Sequence, residues 1–138
     1  MKVLKEYPFP ENLGRFVTEG LVWNRIAQKY LLRFVNEIWV YKEYQPDGLS
    51  IRSYRHLAHS YESTRLYYRE FLEWHKQAFI PLSQRIKLCA LLVRSSFHGR
   101  VPIIKQIKEC PFKVLWLISF PIGLFFWLYD RRRMKHEP

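Results

Sequence analysis

The spacing of apolar and polar positions shifts along the chain, and the shifts divide it into elements. Up to Leu13, Pro8 and Pro10 around Phe9 predict an irregular, partly extended lead-in. Leu21, Val22, Ile26 and Tyr30 then recur at helical spacing, which predicts a helix over 19–30. Thr18 is its expected N-cap, and Glu19 lies in the first turn, where the helix dipole favours a carboxylate. Residues 33–35 and 38–44 are rich in β-branched and aromatic side chains and predict two short strands, the second closed by the turn Pro46-Asp47-Gly48. Residues 51–62 carry no assignable period. Leu66, Arg69, Glu70, Leu72 and Glu73 predict a helix over 63–79, ended by Pro81. Over 82–97 the helical pattern is better defined. Ile86, Ala90, Val93 and Phe97 share one face, and Lys87, Arg94 and His98 form a basic stripe roughly 100° away. Residues 102–109 repeat the theme, with Ile103, Ile104 and Ile107 against Lys105 and Lys108.

The last apolar run, 114–129, has 16 residues without a charge. As a helix it spans ~24 Å, short of a ~30 Å hydrocarbon core, and Pro121 and Gly123 interrupt its middle. Lys105, Lys108 and Lys113 precede it, and Arg131, Arg132, Arg133 and Lys135 follow it. Basic clusters at both ends disfavour a simple crossing, because such clusters prefer the cytoplasmic side. The expectation is therefore a bent or re-entrant segment with both ends at the cytoplasmic leaflet. A single tilted span ranks second and a buried core helix third. Lys87, Arg94, Lys113, Trp116, Trp127, Arg131, Arg132 and Arg133 are the expected membrane-binding residues.

Charge supports this assignment. Residues 1–47 hold 7 basic and 6 acidic residues, whereas 48–138 hold 16 and 6. The positive excess thus follows the apolar stripes, which points to an anionic membrane and away from nucleic acid, for which no recognised motif is present. Cys89 and Cys110 have no partners at metal spacing, and buried thiols are expected. His56 and His59 are three apart but have no third ligand at suitable spacing, so solvated loop histidines are expected and no metal site. The N-terminal residues carry no signal-peptide pattern, which makes the cytoplasmic face of the cell membrane the expected location.

On the residues alone, Glu19 could serve as a general base or merely complement the helix dipole, and Trp23 could be a sugar platform or a core side chain. The block that contains them is distinctive. Phe16, Val17, Glu19, Leu21, Val22, Trp23, Asn24, Arg25, Ile26 and Ala27 occur in order, and Arg33, Val35, Asn36, Glu37, Lys42, Glu43, Tyr44, Asp47, Gly48 and Leu49 continue the pattern. Over 14–50 the chain resembles the acceptor-side segment of bacterial family 2 glycosyltransferases, and weaker similarity runs on through Tyr67, Tyr68, Glu70 and Phe71 into the basic tail.

The resemblance implies a mainly α chain with a small β element. It would be the C-terminal fragment of an α/β GT-A glycosyltransferase, followed by amphipathic and membrane-associated helices. Residues 1–50 would be the remnant of the catalytic domain, 51–100 a helical region and 101–138 a basic-flanked membrane tail. Glu19 falls at the position of the acidic base, with Trp23 and Arg25 expected at the acceptor. Such enzymes hold the nucleotide-sugar diphosphate through a divalent cation, Mg²⁺ or Mn²⁺, and an Asp-x-Asp motif. Here the only two aspartates, Asp47 and Asp130, are 83 positions apart, so no cofactor is expected in this chain and the donor-binding half is expected to be missing. A separate donor-binding polypeptide is one implied partner, and nucleotide-sugar and glycan acceptor belong to the complete enzyme. The rival reading is a non-enzymatic membrane-associated scaffold or remnant.

Overall fold

The computed structural model describes residues 2–13, 17–31, 33, 35–38, 40, 41, 43, 53–76 and 80–136. Seven helices lie among them: α1 (Lys2–Glu6), α2 (Glu19–Ala27), α3 (Ser53–His59), α4 (Tyr61–Trp74), α5 (Leu82–His98), α6 (Ile103–Glu109) and α7 (Lys113–His136). The protein is mainly helical, as expected. The small β element is not seen among the described residues: none of those within 33–43 lies in a strand. Leu31, Ile38, Val40 and Tyr41 are exposed, so the described residues of this stretch offer no buried face on which short strands could rest. The Pro46-Asp47-Gly48 turn lies outside the described residues.

Thr18 does cap α2, through its backbone carbonyl, which accepts from the Leu21 N–H at 2.9 Å; its side chain makes no capping bond. The helix stops at Ala27 instead of reaching Tyr30. Two elements arise where no helix was expected. In the lead-in, α1 is tied down by Glu6, which meets Lys29 Nζ at 3.7 Å and accepts from the Tyr30 hydroxyl at 3.3 Å. In the stretch without a period, α3 places His56 and His59 on a helix, not on a loop. Helix α4 starts two residues early, where the Ser60 carbonyl accepts from the Ser63 and Thr64 hydroxyls. It ends at Trp74, well before Pro81, because His75 donates from Nδ1 to the Phe71 carbonyl at 2.9 Å and stacks on the Phe71 ring.

Helix α5 is the centre of the molecule. One side packs on α4, and the other lies along α7. Leu88, Cys89, Leu92 and Val93 of α5 join Leu72 of α4, Trp116 of α7 and Cys110, just past α6, in one buried cluster. Each fully buried Leu or Val contributes about 1.5–3 kcal/mol, so the cluster binds the three helices into one layered unit. Tyr61 of α4 lies against Gly99 just past α5 and Arg65 bonds Ser96 at 3.0 Å, so α4 runs antiparallel to α5. Helix α7 runs parallel to α5: Ser119 meets Ile86, Gly123 meets Ala90 and Val93, and Trp127 meets Phe97. Two parallel helices need a return, and residues 99–112, with α6 in their middle, supply it.

That return begins with a tight helix stop. Arg100 N–H bonds the Phe97 carbonyl and Val101 N–H the Ser96 carbonyl, the paired bonds of a Schellman ending. Its left-handed position, usually glycine, holds Arg100 at φ 51°. The glycine stands one residue earlier, at Gly99, where a β-carbon would come within 2.2 Å of the Tyr61 ring. Close packing against Tyr61 has claimed the position.

Candidate functional site

Glu19 and Trp23 lie one turn apart on α2 and share a face. Glu19 is exposed, and Trp23 shows half of its surface to solvent, so a carboxylate and an aromatic platform are presented together. Arg25 points elsewhere. Its Nε and Nη2 donate to the two Glu70 oxygens of α4 at 2.9 and 2.6 Å, which fixes α2 on the helical layer. Arg25, expected at the acceptor, is therefore engaged within the fold, and the sequence pattern gave no sign of its partner, 45 positions away.

The second feature is α7. The breakers at Pro121 and Gly123 do not interrupt it: it runs as one continuous helix of 24 residues, without the break in the helix that a re-entrant turn would need. Gly123 is consumed by packing: a β-carbon there would fall 2.6 Å from the Ala90 carbonyl oxygen and from Val93 Cβ. Proline removes one backbone N–H, which leaves the Leu117 carbonyl without its helical donor while the rest of the helix is held against α5. By length and composition, α7 is the one helix among the described residues that could cross a membrane.

Its two sides differ. Toward α5 lie Trp116, 2% exposed, then Ser119, Gly123, Trp127 and Asp130. Ser119 donates to the Ile86 carbonyl at 3.0 Å. Asp130 receives Arg94 Nε and Nη2 at 2.6 and 2.7 Å and lies 2.9 Å from His98 Nε2. Burial pushes the Asp130 carboxyl up, but the bonds from His98 and Arg94 outweigh it and hold the group below its usual range. Arg94, expected in a membrane-facing stripe, is thus turned inward, and Trp116, expected at the membrane, is part of the core. Lys87 and Lys113 are exposed.

Away from α5, Val114, Leu117, Ile118, Phe125, Leu128 and Tyr129 form a continuous exposed apolar face, with Phe125 63% exposed. Arg131, Arg132 and Arg133 follow it at the surface, and the Arg131 guanidinium lies 4.9 Å above the half-buried Trp127 ring. Arg132 also borders a shallow depression of about 220 Å³ with Phe125, Leu128 and Tyr129.

Elsewhere, Cys89 and Cys110 are buried free thiols with sulfurs 4.0 Å apart, and their hydrogen bond together with burial pushes the Cys89 thiol well up. Among the described residues no group of three His, Cys, Asp or Glu side chains is placed to hold a metal ion. A comparison of the chain with protein-family models, curated proteins and solved structures finds no match.

Proposed function

We propose that the chain is the acceptor-side and membrane-docking portion of an inverting glycosyltransferase that acts at the cytoplasmic face of the cell membrane in cell-surface polysaccharide synthesis. The observation that carries this reading is the pairing of Glu19 and Trp23 on the open face of α2, inside the block that resembles family 2 glycosyltransferases. In that role the Glu19 carboxylate accepts the proton of an acceptor hydroxyl as its oxygen attacks the anomeric carbon of the donor. The bond from that carbon to the diphosphate breaks, the nucleoside diphosphate leaves, and Trp23 supports the sugar ring. The nucleotide-sugar diphosphate and its divalent cation would be held by a separate donor-binding polypeptide, since the described residues do not fit that cation. Membrane docking rests on the apolar face and arginines of α7.

A second reading, a non-enzymatic membrane-associated scaffold, is favoured by Arg25, which is engaged by Glu70 rather than open to an acceptor. A chimera separates the two. With the donor-binding part of a family 2 enzyme joined ahead of residue 1, sugar transfer is expected, and Glu19→Gln should lower turnover about 10²–10⁴-fold while leaving the circular dichroism unchanged. Unchanged turnover would leave Glu19 as a carboxylate that serves only the helix dipole, and an inactive, folded chimera would favour the scaffold.

A further inference from the structure

Helix α7 is long enough to cross a bilayer, yet its packing constrains how it can meet one. Along α5 it is fixed at four levels, from Ser119 with Ile86, through Gly123 with Ala90 and Val93 and Trp127 with Phe97, to Asp130 with Arg94 and His98. If α7 crossed, it would carry α5 with it, and Arg85 and Lys87, level with the middle of its apolar run, would enter hydrocarbon together with the charged α4 behind them. Each such charge costs about 2.5–3.5 kcal/mol at the bilayer centre. Only the outer face of α7 can enter apolar surroundings without disturbing the layers.

We propose that α7 docks flat on an anionic phospholipid surface, with its axis in the plane of the bilayer and Leu117, Ile118, Phe125 and Leu128 in the acyl boundary. This rests on the membrane-docking part of the reading above and adds the orientation and the lipid. In this pose both ends of the helix lie at one depth, so Lys113 at one end and Arg132, beside Phe125 and Leu128 at the other, reach headgroup phosphates. Basic residues at both ends, which disfavour a crossing, are what a flat helix on an anionic leaflet requires. Tyr129, more than half exposed beside Arg132, stands at the headgroup level, where amphipathic rings are favoured. The Leu117 carbonyl freed by Pro121 is tolerable near interfacial water and costly in a dry bilayer core.

The test uses the full chain with single cysteines at Val114→Cys, Phe125→Cys or Arg132→Cys, each carrying a small environment-sensitive fluorophore. The wild-type chain, whose own thiols are buried, is the labelling blank. On vesicles of mixed phosphatidylcholine and phosphatidylglycerol, the label at position 125 should shift to the blue. All three labels should be bleached completely by impermeant dithionite added outside. Protection of the label at one end with bleaching at the other would mean a crossing and would overturn the flat pose. Equal binding to pure phosphatidylcholine would overturn the choice of an anionic lipid. Phe125→Asp should weaken binding about tenfold or more with unchanged circular dichroism, and binding that survives it would remove this face from the contact. No binding to either vesicle would overturn docking altogether, while the chimera assay would still decide sugar transfer.

Discussion

Asp130 sits where the apolar run of α7 meets its arginines, and Arg94 and His98 close on its two oxygens. Replacing it with asparagine leaves Arg94 without a counter-charge in a largely buried setting, which costs about 3 kcal/mol. Urea unfolding in mild detergent should show this loss. The pH dependence follows from the direction of its shift. The folded carboxyl titrates below its ordinary value of ~3.9, so its stabilisation is fully present above that value and disappears as pH falls through the lower, folded one. Unfolding midpoints measured from neutral pH into acid should fall more steeply in the wild type than in Asp130→Asn. Equal slopes would mean that the ion pair does not set acid stability.

At the scale of elements, the ending of α5 makes a separate prediction. Arg100 holds a left-handed backbone that costs an L-residue about 1–2 kcal/mol, so Arg100→Gly should raise the unfolding free energy by about 1 kcal/mol. A decrease would mean that the Arg100 side chain contributes more than its backbone costs. Helices α2, α5 and α6 were legible in the sequence because their apolar residues repeat at the helical period. Helices α1 and α3 were not. Helix α1 offers only Val3 and Leu4 as apolar positions and is tied by Glu6 to Lys29 and Tyr30. Helix α3 has one large aliphatic residue, Leu57, where the equally short α6 has three isoleucines. The basic ends of α7 could be read directly, and so could the α5 face that meets it. The inward turn of Arg94 could not, because Asp130 is 36 positions away and reaches it only through the parallel packing that the return over 99–112 creates. Continuity of α7 through Pro121 and Gly123 was hidden for a related reason: both residues break isolated helices, and contact with α5 overrides them here.

For the whole molecule, the three-layer order of α4, α5 and α7 leaves one side of the last layer uncovered. Between its basic ends, α7 turns Ser119 and Asp130 into the protein, while Leu117, Phe125 and Leu128 look outward. A water-soluble helix has the opposite polarity, so α7 is inside out with respect to water. A mean over its residues conceals this, because the average is blind to which side carries what. The consequence concerns solvent rather than sequence. Water is the wrong medium for this surface, and without lipid the chain should cover it with copies of itself. Sedimentation velocity in detergent-free buffer should give concentration-dependent oligomers that a mild non-ionic detergent converts to monomer, and Phe125→Asp with Leu128→Asp should give monomer without detergent. A stable wild-type monomer in plain buffer would mean that this face tolerates water after all, and that the fold has no need of a second solvent.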